Sequence, residues 1–233
     1  MTPESQLPEV EQTPKPDALL GVAIPFSLII AVLLLLLFAW VSEEVIAEHT
    51  RNFDTAVRAA VHEYSSPALT RVAVFASLLG GDVLALAFFV ALALFLRLRW
   101  RRAAVWLTIT IAGALVLDFA LKHFFHRPRP AAFFGALPHT YSFPSGHALL
   151  SFCFYGVLAG LLTDRIKPLV FRILAWAVAA ILIISIGLSR IYLGVHYPTD
   201  VIAGYLVAAV WVSAMIAVDH WRTRRTLRAP QQN

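Results

Sequence analysis

Repeated apolar runs long enough to cross a bilayer constrain this sequence more than any other feature. The first run, Leu19–Val41, is 23 residues long and carries no charged side chain, and about 20 such residues in a helix span the hydrocarbon core of a membrane. It lacks the basic flank and the small-residue cleavage site of a signal peptide, so we expect it to remain as a membrane helix. Hydrophobic residues make up 59% of the chain and charged residues 14%, which excludes an ordinary soluble domain.

Five further apolar runs follow the first, and together they predict an all-α, polytopic membrane protein with six transmembrane helices. The five predicted helices are 72–96 (interrupted by Gly80-Gly81-Asp82), 103–121, 147–162, 169–188 and 198–218. Apolar side chains at helical spacing within residues 42–71 predict an additional short helix in the membrane interface. We expect three parts in the chain, namely a flexible polar N-terminal tail (1–18), the six-helix membrane domain (19–220) and a basic C-terminal tail (221–233).

The distribution of basic residues predicts which loops face the cytoplasm. With both termini inside, twelve of the nineteen lysines and arginines lie on the inner side and seven on the outer side. Cytoplasmic loops of membrane proteins carry the excess of Lys and Arg, which favours this orientation. The sequence therefore predicts a multi-pass protein of the plasma (inner) membrane, with residues 123–146 and 189–199 in loops on its outer (periplasmic or extracellular) face.

Polar residues of the two predicted outer loops and of the adjacent helix ends form one candidate site. Up-and-down helices bring these positions to the same end of the bundle. In chain order they are Lys122, Arg129, Ser145, Gly146, His147, Arg190, His196 and Asp200. Three cations together with the free amides of a helix start suit a dianion such as phosphate. We expect Ser145 to cap the helix that follows it, and Gly146 to let the backbone approach a ligand closely.

Two histidines in such a site can supply a nucleophile and a proton donor. Asp200 follows His196 by four residues, so its carboxylate can hold one imidazole nitrogen and leave the other free to attack phosphorus. Asp118 lies one turn before Lys122 and is expected to neutralise it. The remaining cations have simpler interpretations: Arg51, Arg58 and Arg71 are interface anchors, whereas His126 and Arg127 are candidates for a secondary substrate contact.

Three motifs carry a resemblance to a known family. Lys122-x6-Arg129-Pro130, Pro144-Ser-Gly-His147 and Ser189-Arg190-x5-His196-x3-Asp200 resemble the signature of the type 2 phosphatidic acid phosphatase family. That family holds integral-membrane lipid phosphate phosphatases and shares its active-site pattern with vanadium-dependent haloperoxidases. The resemblance implies that His196 forms a phosphohistidine with the support of Asp200, and that His147 protonates the leaving alkoxide. It also implies that the phosphate is held by Lys122, Arg129, Ser145, Gly146 and Arg190.

The predicted function is hydrolysis of a lipid phosphomonoester or pyrophosphate. The lipid phosphate substrate would enter from the bilayer, and membrane lipids would surround the protein. Because the site is already cationic and lacks a cluster of carboxylates, we expect no metal and no cofactor. Transfer of the phosphoryl group to a second lipid is the alternative for the same site. A non-catalytic transporter, supported by Asp82 and Asp118 within the spans, is the alternative from another class. No basic face with interleaved aromatic residues indicates nucleic-acid binding, and the residues leave the oligomeric state and the identity of the lipid open.

Overall fold

The computed structural model describes residues 16–228, and every regular element within them is helical. Six segments of this part of the chain are long and apolar enough to cross a membrane: Phe26–Ile46, Pro67–Arg97, Arg101–Phe125, Gly146–Thr163, Leu169–Tyr192 and Pro198–Thr223. The all-α, polytopic fold with six candidate transmembrane helices, expected from the apolar runs, is thereby confirmed.

The first half of the described chain contains five helices. They are α1 (Pro16–Ile46), α2 (Arg51–Glu63), α3 (Pro67–Leu79), α4 (Asp82–Arg97) and α5 (Arg101–Phe125). After a loop over 126–145, the fourth span consists of α6 (Gly146–Ser151), a π-helical turn (Phe152–Gly156) and α7 (Val157–Thr163). The last two spans are α8 (Leu169–Tyr192) and α9 (Pro198–Arg228).

The second span breaks at the glycine pair that the sequence placed inside it. Helix α3 ends at Leu79 and α4 begins at Asp82, since glycine is the residue that a helix tolerates least after proline. The hydroxyl of Tyr155 donates a hydrogen bond of 2.8 Å to the Leu79 carbonyl, which satisfies one of the acceptors that the break leaves open. At the other end of α3, Ser66 Oγ accepts a hydrogen bond from the Leu69 amide and Pro67 occupies the first turn.

Two predicted helix ends were wrong. Helix α8 continues to Tyr192 instead of ending near residue 188, so Arg190 lies in its last turn and not in a loop. Helix α9 continues to Arg228, so the basic segment expected as a C-terminal tail begins as a helix. The predicted N-terminal tail lies outside the described residues except for 16–18, which begin α1.

The short helix predicted within residues 42–71 is present as α2. Phe53 in this helix and Tyr64 just after it are 51% and 77% exposed, whereas Val61 packs on buried residues of the protein. Asp54 is fully buried, and Arg58 contacts the protein. Helical spacing places Asp54, Arg58 and Val61 on one face, and this face packs on the loops and the start of α9 beside the candidate site.

The bundle core lies between the spans and brings the ends of α5, α6, α8 and α9 together. Leu107 and Ala114 of α5, Leu149 of α6 and Ala203 of α9 are fully buried. Between α5 and α9, the Trp211 indole donates to the Thr110 carbonyl at 3.0 Å. Large apolar side chains also face outward along the spans, as lipid-facing helices require.

Candidate active site

A cavity of about 470 Å³ opens at the end of the bundle where the helices that carry the three motifs meet. Six of the eight predicted site residues line it: Lys122, Arg129, Gly146, His147, Arg190 and His196. The other two lie directly behind it, because Asp200 contacts His196 and the Ser145 amide donates to the Asp200 carbonyl at 2.9 Å. The fold therefore brings all eight predicted residues to one place.

Part of the cavity lining is apolar. It is formed by Leu84, Ala85, Phe88 and Phe89 of α4 and by Ile111 and Leu115 of α5. The aromatic residues of the loop over 126–145 do not line this cavity, and one of them, Phe143, is a fully buried core residue. A second cavity of about 440 Å³ lies on the loop side and shares Arg129, Pro138 and Thr140 with the first.

His196 is held between a carboxylate and a guanidinium. Its Nδ1 lies 3.3 Å from Asp200 Oδ2, and its Nε2 lies 2.9 Å from Arg129 Nη1. Arginine has donors and no acceptor, so Nε2 accepts this hydrogen bond while Nδ1 carries the proton and donates it to Asp200. This is the tautomer in which Nε2 is unprotonated, with its lone pair engaged only by Arg129.

The charge state of His196 follows from its surroundings. The residue is 2% exposed, and burial lowers the pKa of His196 to about 4, against the opposing effect of Asp200 and with the help of the Arg129 and Arg190 charges. A buried imidazole is more easily kept neutral than charged. At neutral pH the ring is therefore uncharged, which is the form that can act as a nucleophile.

Arg129 is fixed by the loop over 126–145. Its Nε donates to the Thr140 carbonyl at 2.6 Å, Nη2 donates to Thr140 Oγ1 at 2.9 Å, and Nη1 donates to the Val195 carbonyl at 2.9 Å. Ser142 closes the same loop by donating from its amide to the Arg127 carbonyl. These hydrogen bonds hold the loop together and place the Arg129 guanidinium beside His196.

Lys122 and Gly146 form a compact unit with Asp118. The Lys122 ammonium donates to both Asp118 oxygens, at 2.6 and 2.8 Å, so the expected neutralising role of Asp118 is confirmed. A methyl group on Gly146 would lie 2.6 Å from Asp118 Oδ1 and 2.9 Å from Lys122 Nζ. The absence of a side chain at Gly146 therefore makes room for the ion pair.

Two buried polar atoms of the site have no protein partner. Arg190 donates from Nη1 to Ser77 Oγ on α3, but its Nε is unsatisfied. Ser145 Oγ is also buried without a partner, so the side chain does not cap α6 as expected. Buried polar groups in proteins are nearly always paired, and these two atoms belong to adjacent predicted ligands of one anion.

His147 occupies the space created by the helix break. A methyl group on Gly80 would lie 3.0 Å from His147 Cδ2, and one on Gly81 would lie 3.3 Å from His147 Nε2. The ring thus lies against the glycine pair, on the wall of the cavity that also contains His196. The sequence did not connect Gly80-Gly81 with His147, because 66 residues separate Gly81 from it.

Two arginines have roles other than those expected from the sequence. Arg127, a candidate for a secondary substrate contact, donates to Asp200 Oδ1 at 2.6 Å and to Asp54 Oδ2 at 2.8 Å. Arg58, interpreted as an interface anchor, donates to the carbonyls of Ala131 and Gly194 in the two loops beside the site. Asp54, Ser77 and Thr140 were missed as supporting residues, since nothing in their local sequence distinguishes them from surface polar residues.

The residues described by the structure do not include three or more His, Cys, Asp or Glu side chains placed to hold a metal ion together. The two carboxylates nearest the cavity, Asp118 and Asp200, are already engaged by Lys122 and by Arg127 with His196. The arrangement provides a set of cations, a neutral imidazole with an unprotonated nitrogen, and a second imidazole that lines the same cavity.

Comparisons with known proteins agree with this geometry. The family model of the PAP2 superfamily matches residues 103–224. Phosphatidylglycerophosphatase B of Bacillus subtilis (strain 168) is 37% identical over 93 residues, which cover 39% of this chain and 45% of that protein. Undecaprenyl-diphosphatase of Sulfolobus acidocaldarius is 33% identical over 121 residues, 49% of this chain and 54% of that protein. The chain thus spans about half the length of the curated relatives that it matches.

Solved structures share the fold. The crystal structure of a transmembrane PAP2 type phosphatidylglycerolphosphate phosphatase from Bacillus subtilis aligns with a TM-score of 0.72 at 23% identity, over 87% of this chain and 99% of that chain. The crystal structure of Aquifex aeolicus LpxE aligns with a TM-score of 0.55 at 28% identity, over 72% of this chain and 95% of that chain.

Proposed function

The chain belongs to the PAP2 superfamily, and from this premise we propose that it is an integral-membrane lipid phosphate phosphatase that hydrolyses a phosphomonoester or pyrophosphate of a lipid. The observation that carries the proposal is the set of cations that lines the cavity together with a neutral His196, where Arg190 Nε is buried without a partner and Ser145 Oγ, behind the lining, is also buried without one. The relatives named phosphatidylglycerophosphatase B, undecaprenyl-diphosphatase and lipid A 1-phosphatase all act on lipid phosphates by their names.

In the proposed first step, His196 takes the phosphoryl group. The terminal phosphate binds to Lys122, Arg129, Arg190, Ser145 Oγ and the backbone at Gly146, and it replaces His196 as the partner of Arg129 Nη1. His196 Nε2 then forms a bond to phosphorus as the bond from phosphorus to the lipid oxygen breaks. The leaving oxygen takes its proton from His147, while Asp200 supports the positive charge that develops on the His196 ring.

In the proposed second step, water restores the enzyme. His147, now neutral, takes a proton from a water molecule whose oxygen attacks the phosphohistidine, and the bond from phosphorus to Nε2 breaks. Inorganic phosphate is released and His147 is again protonated. The second cavity, which shares Arg129, Pro138 and Thr140 with the first, supports a route for water and phosphate on the loop side.

The apolar wall supports access of the substrate from the bilayer. Leu84 and Phe88 of α4 and Ile111 and Leu115 of α5 line the same cavity as the cations. Binding of a hydrocarbon chain there is favourable by about 25 cal/mol for each Å² of apolar surface that is removed from water. The phosphate would then lie at the cationic end and the chain between the two helices.

We expect hydrolysis without a divalent metal, because cations of the protein surround the phosphate and the nearby carboxylates are engaged in ion pairs. The purified protein should release inorganic phosphate from phosphatidic acid, phosphatidylglycerophosphate or a polyprenyl pyrophosphate in excess EDTA. Vanadate should inhibit, since it adopts the five-coordinate geometry of phosphoryl transfer. His196→Ala is the control for contaminating activity.

Three results of this assay would contradict parts of the proposal. Complete loss of activity in EDTA, restored by Mg²⁺, would show that the reaction needs a metal. Phosphate release only when an acceptor lipid is added would indicate a phosphotransferase. Absence of release from every lipid, with phosphate or lipid movement across reconstituted vesicles, would indicate a transporter.

The proposed location of the site is the outer face of the plasma (inner) membrane, with both termini in the cytoplasm. This rests on the excess of Lys and Arg in the opposite loops. In a Cys153→Ala background, which removes the single, buried cysteine, a cysteine at the exposed position Ala136 should react with an impermeant thiol reagent on intact cells. Labelling that requires lysis of the cells would reverse the proposed orientation.

A further inference from the structure

A buried network of three charged side chains lies behind His196, outside the cavity. Arg127 Nη1 lies 2.6 Å from Asp200 Oδ1, and Arg127 Nη2 lies 2.8 Å from Asp54 Oδ2. Both carboxylates are fully buried, and the side chain of Arg127 is 14% exposed. One guanidinium is therefore shared by two carboxylates, only one of which reaches the histidine.

Asp54 joins the short helix α2 to the helix that carries Asp200. Its Oδ1 accepts from the Thr199 amide at 3.1 Å, and its Oδ2 accepts from Thr199 Oγ1 at 2.7 Å. Thr199 lies in the first turn of α9, so Asp54 supplies an N-terminal acceptor from a different part of the chain. The guanidinium of Arg127 lies 4.2 Å from the centre of the Tyr197 ring, which fixes its plane.

The charges of the network determine what Asp200 offers to His196. Asp54, Arg127 and Asp200 carry a net charge of one negative unit, and Asp200 Oδ2 directs it at His196 Nδ1. Without Asp54, Asp200 would be the only carboxylate paired with the Arg127 guanidinium, and the pair would carry no net charge. Without Arg127, two buried carboxylates would face each other, and an uncompensated buried charge is strongly unfavourable.

We propose that Asp54 and Arg127 are positioning residues for the nucleophile. Arg127 holds Asp200 Oδ1 so that Oδ2 faces the imidazole, and Asp54 occupies the other arm of the guanidinium so that Asp200 keeps its effective charge. Asp54 lies outside residues 103–224, which the family model matches, and helix α2 thereby becomes part of the active site. The inference rests on the proposed function, since it assigns these residues to the step at His196.

The test compares Asp54→Asn, Arg127→Met and the double variant, with Glu63→Gln as a matched control of an exposed carboxylate on the same helix. We expect Arg127→Met to lower kcat by about 100-fold and Asp54→Asn by about 10-fold. The double variant should recover to about 10-fold below the wild type, because it removes the charge imbalance that either single change creates. KM should stay within about twofold in all of them, since neither residue touches the phosphate.

The recovery in the double variant distinguishes an effect of the net charge of the network from two independent structural defects. Two independent structural defects would multiply to about 1,000-fold, and this result would overturn the proposal, as would single variants with normal kcat. Where Arg127→Met does not yield a monodisperse protein, Asp54→Asn alone decides: a lower kcat with unchanged KM and thermal midpoint supports the proposal, and an unchanged kcat overturns it. The proposed function itself would be refuted by two other results. One is a wild-type protein that releases no phosphate, and the other is a His196→Ala variant that is as active as the wild type.

Discussion

Replacement of His147 by alanine is expected to cripple hydrolysis of alkyl phosphates and to leave much of the activity toward p-nitrophenyl phosphate. A lipid alkoxide is a poor leaving group, so its departure needs a proton in the transition state, and a positioned general acid contributes about 10²–10⁴-fold. The p-nitrophenolate ion departs without a proton. His147 lines the cavity that also contains His196, against Gly80 and Gly81, where it can give a proton to the lipid oxygen that leaves phosphorus as His196 attacks.

The matched comparison is His196→Ala, which should be inactive toward both substrates because no nucleophile remains. The two substrates carry the same phosphoryl group and differ mainly in the leaving oxygen, so kcat/KM for each variant isolates proton donation. Equal losses for both substrates in His147→Ala would mean that His147 binds phosphate and does not act as an acid. Rescue by the aryl substrate in His196→Ala would exchange the roles of the two histidines.

The parts of the site that the sequence predicted are those that local spacing determines. The separation of four residues between His196 and Asp200 fixes their contact once helix α9 begins at Pro198, and the same spacing pairs Lys122 with Asp118. The length of the apolar runs determined the six spans. The wrong end predicted for α8 did not affect the predicted site, because Arg190 lines the cavity from the last turn of this helix.

The parts that the sequence did not predict depend on contacts between distant segments. Asp54 and Asp200 are 146 positions apart in the chain, and the burial of a carboxylate on an otherwise ordinary amphipathic helix has no local signal. Arg58 was interpreted as an interface anchor, but it donates to the Ala131 and Gly194 carbonyls of distant loops. The pattern of an amphipathic helix places its charged residues in water, whereas Asp54 is buried by contacts with Arg127 and Thr199 from segments far away in the chain.

Substitution of Gly146 by alanine is expected to lower kcat/KM by about 10²-fold while the fold persists. The new methyl group would lie 2.9 Å from Lys122 Nζ and 2.6 Å from Asp118 Oδ1. Both atoms are ends of side chains that can move, so the protein relieves the contact at small cost in stability, but the ammonium leaves its place. Displacement of a positioning group by about 1 Å can cost about 10²-fold in rate.

The control for this variant is Gly160→Ala in the same span, where the nearest atom to a new methyl group is 3.8 Å away on Trp176; its activity should be unchanged. A cycle with Lys122→Ala then separates two roles of Gly146. If Gly146 acts by making room for Lys122, the double variant is no worse than Lys122→Ala, because the displaced group is already gone. If Gly146 acts instead by letting the backbone approach the phosphate, the two losses multiply, and the space for the ion pair is not its function.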